Sequence, residues 1–226
     1  MNTSTVISLF LSPLLLALMM AYLNFKFSIK TWKYIWQAII WGLFSVVLVV
    51  AANYIIRIWG LENLKNMRRT AFYVFVVVAF GSEFAKLLVL RFKMFNLKSF
   101  DSPLASIVYS LFISLGFSVS AVILYAIGIL GTEKMKFMEM FLWTYPFANI
   151  VFGIVLGFFV GMAKVRDNRL IDTLSGLGTA MFFHALYYFC FLTNDHRLLI
   201  FTGIGFFIIA LTLLIKGASV PPAAKS

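Results

Sequence analysis

"FYVFVVVAFGSEFAKLLVLRF", residues 72–92, has the length and apolar character of a membrane-crossing helix, yet Glu83 and Lys86 interrupt it. A hydrocarbon core about 30 Å thick takes roughly 20 apolar residues of helix, and this run supplies them. An ionisable side chain within such a run costs about 2.5–3.5 kcal/mol on insertion scales, so the two charges need a reason to be there. Three residues of separation places both on one helix face, where a local pair can neutralise itself. The alternative is that the long lysine stem reaches toward Arg91, Lys93 and the membrane boundary.

Six further stretches of similar character surround this one, at approximately 5–24, 35–56, 103–130, 139–163, 172–193 and 198–216; with 70–91 they make seven spans. The chain has 226 residues, 62% hydrophobic and 12% charged, a balance that excludes a water-soluble domain. Links such as "LENLKNMRR", "RFKMFNLKSFDS" and "AKVRDNRLID" are too short to fold alone. The expected fold is therefore all-α, a polytopic transmembrane helical bundle forming one embedded domain over residues 1–226. The opening "MNTSTVISLFLSPLLLALMMAYLNF" has no basic leading region and too long an apolar run for a cleaved leader, and is read as the first span. Residues 217–226 are read as a short flexible tail.

The formal charge of +11 does not imply a nucleic-acid partner, because the basic residues come in twos to fours between apolar runs rather than on one face. The partner they imply is the lipid bilayer. One set of alternate links holds Arg57, Lys65, Arg68, Arg69, Lys134, Lys136 and Arg197; the other holds Lys26, Lys30, Lys33, Arg91, Lys93, Lys98, Lys164, Arg166, Arg169, Lys216 and Lys225. The richer set is expected in the cytoplasm, with the N-terminus outside and the C-terminus inside. Cys190 is the lone cysteine, so no internal disulfide forms, and no paired-cysteine zinc module is present.

Helices in lipid associate through close backbone approach at small residues. Ser106, Ser110, Ser114 and Ser118 recur every fourth residue, as do Gly153, Gly157 and Gly161. Both stripes read as helix-packing faces, and the serine stripe also fits the wall of a wet crevice. Two more polar groups lie deep within spans: Asn149 in "TYPFANIVFG" and His184 in "AMFFHALYYF". If these meet Glu83 and Lys86, the bundle encloses a polar centre.

The succession "FGSEFAKLL", "FDSPLASIVYSLFISLGFSVSAVILY", "YPFANIVFGIVLGFFVGMAKV" and "FFHALYYF" resembles, in sequence and order, the PrsW family of intramembrane metalloproteases, relatives of the CAAX-prenyl-protease group. The resemblance covers roughly residues 78–192, with "IVY", "LGF" and the span-five glycines in register. It implies a bacterial cytoplasmic membrane and a metal-dependent peptidase resting on four motifs. These are an acid pair followed by lysine (EExxK), a glutamate four after phenylalanine (FxxxE), a histidine before the glycine stripe, and a final HxxxD. On this chain the first acid is Ser82, while Glu83 and Lys86 are kept. Phe117 is kept, but the glutamate position is Ala121. The histidine position before Gly153 is Asn149; His184 is kept and the aspartate position is Tyr188.

Metal-assisted hydrolysis takes about three protein ligands and a base for the bound water. Glu83 and His184 are the two strong candidate ligands that remain, so the expectation is a pseudoprotease with no metal or other cofactor. It would serve as a scaffold or adaptor for a membrane or envelope protein partner, with homo-oligomerisation left open. An active peptidase using Glu83 and His184, with zinc, is the alternative; Ser82 has no adjacent base to make it a nucleophile. A small transporter or channel is a second alternative, although no inverted repeat is visible.

Overall fold

The computed structural model describes residues 3–26, 32–60, 64, 66–131, 135, 137–166, 168–193 and 195–222. Seven helices long and apolar enough to cross a membrane follow one another: α1 (Thr3–Lys26), α2 (Trp32–Ile58), α3 (Met67–Met94), α4 (Pro103–Ala126), α5 (Met138–Val165), α6 (Arg169–Thr193) and α7 (His196–Ser219). Strands are absent from the described residues. The expected all-α polytopic bundle is the fold.

Local chemistry starts several of these helices. The Asn66 carboxamide oxygen accepts the Arg69 N–H (3.0 Å) at the head of α3, and the Asp195 carboxylate accepts the Leu198 N–H (2.9 Å) at α7. Ser102 Oγ accepts the Ala105 N–H (3.2 Å) ahead of α4, with Pro103 opening the first turn. Each cap satisfies a donor that the helix itself leaves bare.

Two boundaries differ from the sequence reading. Helix α4 stops at Ala126 rather than 130, because Gly128 (φ 77°) and Gly131 (φ 97°) take the left-handed backbone that ends helices. Helix α7 runs on to Ser219, so Gly217, Ala218 and Ser219 are helical rather than tail. Gly217 is buried against Ile107 and Phe158, and that contact carries the helix past Lys216. Residues 223–226 of the expected tail, and Lys30, Lys65, Lys134, Lys136 and Lys225 of the charge tally, lie outside the described residues.

Helix α4 is the core of the bundle, packed most extensively on α5 and next on α2, while α6 covers α5. Helix α3 enters between α2 and α6. Helices α1 and α7 are peripheral and turn large apolar side chains outward, among them Phe10, Leu18, Phe201 and Phe207, the surface that lipid solvates.

The serine and glycine stripes lie against each other. A Cβ built on Gly157 would stand 2.7 Å from the Ile107 Cα and 2.8 Å from the Ser110 Cβ, and one on Gly161 would stand 2.5 Å from the Pro103 Cα. At Gly153 the obstacle is Ser114, with Oγ at 2.8 Å. All four serines are buried, so the face is a closed seam and not a wetted wall. Ser118 reaches the other way, sharing a 3.0 Å hydrogen bond with Ser12 of α1. The opposite side of α4 has an equally close crossing, absent from the sequence reading. Gly42 of α2 sits on the Ile113 carbonyl, and a Cβ on Gly116 would stand 2.5 Å from the Ile39 carbonyl oxygen. Backbone meets backbone there, and no rotamer change relieves it.

Gly157→Leu is accordingly expected to destabilise the bundle by at least about 1–3 kcal/mol, the usual cost of overpacking. Thermal unfolding in detergent reads this; Gly178→Leu is the control, because a Cβ there meets nothing within 4 Å.

Candidate functional site

Glu83 and Lys86 ride on an α-helical segment, Gly81–Val89, within α3, flanked by two stretches wound as π-helix, Tyr73–Phe80 and Leu90–Met94. Such wide turns change the angular step between side chains and occur often at functional sites. Asn149 is contributed by the middle of α5 and His184 by α6. All four side chains have no solvent exposure.

Glu83 Oε1 is the hub. It accepts from the Lys86 ammonium at 2.6 Å and lies 2.8 Å from His184 Nδ1. Lys86 Nζ also donates to Asn149 Oδ1 at 3.0 Å. Asn149 is oriented by its own amide, whose Nδ2 donates to the Tyr145 carbonyl one turn back (3.0 Å). The lysine therefore does not extend to the boundary; it is held inside by two acceptors. Its ammonium also lies 5.4 Å from the centre of the Phe117 ring and 5.6 Å from that of Phe152, within cation–π range.

The contact to a carboxylate assigns the His184 proton to Nδ1, which leaves Nε2 as the lone-pair nitrogen. Nε2 and Glu83 Oε2 are both buried without a hydrogen-bond partner. Phe152 stacks on the imidazole at 4.8 Å between ring centres, with an interplanar angle of 18°. The sequence reading missed Phe152; its signal was the spacing of three from Asn149, which puts it on the same face of α5.

Three positions of the resemblance carry no comparable chemistry. Ser82 is buried beside Glu83. Ala121 is fully buried and apolar. Tyr188 belongs to an aromatic cluster, its ring 5.8 Å from Phe141, 6.4 Å from Tyr73 and 6.5 Å from Tyr125. Among the described residues no group of three or more His, Cys, Asp or Glu side chains is placed to hold a metal ion.

The fold and this centre define a class: a multi-pass helical membrane protein with a buried acid, base, amide and imidazole joined across three spans. The family model described as "PrsW family intramembrane metalloprotease" matches residues 30–215, and the chain belongs to that family. The match extends on both sides beyond the 78–192 core. A curated relative, "Protease PrsW" of Oceanobacillus iheyensis, is 26% identical over 164 residues, covering 73% of this chain and 72% of that protein. No solved structure matches.

Proposed function

We propose that this chain keeps the PrsW scaffold without the family's peptidase centre, and acts as a non-catalytic scaffold or adaptor for a membrane or envelope protein. One observation carries the reading: the Lys86 ammonium is clasped by Glu83 Oε1 and Asn149 Oδ1, so two oxygens of the centre already serve an internal cation. A catalytic zinc ion takes about three protein ligands from His, Asp, Glu or Cys. Only Glu83 and His184 of that kind meet here among the described residues, so the set does not fit a catalytic metal. Ala121 offers no donor, and an amide such as Asn149 is a weak ligand for zinc. The helices that frame the centre are closely packed, so the scaffold holds its shape without a metal.

An active peptidase is the second reading, favoured by the bare Glu83 Oε2 and His184 Nε2. The two are separated by one experiment on the purified full chain: zinc content together with cleavage of a membrane-spanning reporter, in the natural sequence and in Glu83→Gln. The scaffold reading expects zinc well below one equivalent per chain, no cleavage in either form, and co-purification of a stoichiometric membrane partner. Cleavage abolished by Glu83→Gln, or an equivalent of bound zinc, would overturn it. The same reading sets the protein in a bacterial cytoplasmic membrane with its N-terminus outside, which reporters fused to each end would check.

A further inference from the structure

We infer that a cleft on the lipid-facing side of α4 binds one acyl chain of an anionic phospholipid, with the phosphate at the Ser99–Ser102 corner. The cleft has a volume of about 590 Å³. Its floor is Ala105, Val108 and Leu111 of α4, and its walls are Met19 and Tyr22 of α1 and Leu214 of α7. These are the two peripheral helices, so the cleft opens where lipid stands.

Size decides the occupant. A membrane-crossing helix is a cylinder about 10 Å across and 30 Å long, on the order of 2,000 Å³, and does not fit. The observed volume lies within the range of roughly 300–1,000 Å³ typical of small-ligand sites, and its apolar walls suit a slender hydrocarbon. Polarity is confined to one end. There the hydroxyls of Ser99, Ser102 and Tyr109 line the cleft, Ser99 and Tyr109 being 2.6 Å apart. The loop bearing the two serines is anchored by buried Phe100 and by Lys164, which donates to the Phe95 carbonyl at 2.9 Å.

Charge selects the headgroup. Residues 91–102 contain Arg91, Lys93 and Lys98 against a single acid, Asp101, and Lys33 is two residues from Ile35 of the cleft lining. Lys33 and Lys98 are exposed. Arg91 and Lys93 are held at this end of α3 by stacking on Phe95 (3.7 Å) and Trp41 (4.2 Å). Basic pockets between spans are the sites where anionic headgroups concentrate.

The test places the full chain in nanodiscs of equal parts phosphatidylglycerol and phosphatidylcholine, and counts lipids retained on the protein by native mass spectrometry. One phosphatidylglycerol per chain is expected. Ala105→Trp, which fills the floor, should abolish retention. Lys33→Gln and Lys98→Gln, both at exposed positions that leave the fold alone, should each weaken it about fivefold. The inference fails if the natural chain retains no lipid or retains both lipids equally. It also fails if the two lysine variants retain phosphatidylglycerol as the natural chain does, which decides the matter even where Ala105→Trp does not fold.

Discussion

Lys86→Met alone is expected to cost the protein most of its folded population, while the double variant Glu83→Gln, Lys86→Met recovers much of it. The single change removes the cation and leaves a carboxylate with no solvent exposure facing only the His184 N–H. Breaking a buried pair from one side costs about 3–5 kcal/mol, because the remaining charge is uncompensated. Removing both charges eliminates that penalty and leaves a neutral amide whose oxygen can still accept from His184. What the double variant still loses is the charge-assisted link from Lys86 to Asn149, about 1.5–3 kcal/mol at most. The coupling read from the two single variants and the double by denaturant unfolding in detergent should therefore be large and of the sign that makes the double milder than the sum. Additive losses, or singles that fold as well as the natural chain, would remove the pair from any structural role.

That result bears on why an acid and a base persist in the stretch that first identified the fold. Their helical spacing announced a pair, and the structure adds what spacing alone does not contain: Asn149, 63 positions away, and His184, 101 positions from Glu83, complete it. Polarity at depth made these residues visible, since each is an outlier in an apolar span. Phe152 was harder to see, because its one signal, a spacing of three from Asn149, is weak for a phenylalanine among 26 until its ring lies on an imidazole. The same holds for Gly42 and Gly116. A repeated glycine stripe advertises a seam, whereas a single glycine on each of two helices meets its partner only through the crossing geometry. The π-wound turns of α3 also left no trace in the apolar pattern, because a run such as "YVFVVVAF" is apolar at every step and has no period to distort.

The second large effect concerns zinc. If the family's metal chemistry was lost at the positions where this chain departs from the motifs, then Asn149→His with Ala121→Glu should raise bound zinc from a small fraction to about one equivalent per chain, since two protein ligands become three or four. The first substitution acts twice. It takes away the carboxamide oxygen that clasps Lys86, leaving the ammonium held by Glu83 alone, and it adds an imidazole to the helix turn that faces this pair. Helix α4 supplies the second carboxylate from a buried position one turn beyond Phe117, whose ring already lies over the ammonium. The Ala121→Glu change enlarges a fully buried side chain, and overpacking of this kind costs about 1–3 kcal/mol. Metal binding to the folded form should offset that cost through linkage, so unfolding of the double variant should shift upward when zinc is added and that of the natural chain should not. Tyr188 sets the limit of the rescue. With an aromatic cluster where the resemblance places a carboxylate, Glu83 would have to bind the metal and hold His184 Nδ1 at once, leaving no base for a bound water, so the rebuilt chain is expected to bind zinc without cleaving the reporter. Zinc that stays sub-stoichiometric in a folded double variant would mean that the centre's geometry, and not merely its side chains, has moved away from metal chemistry.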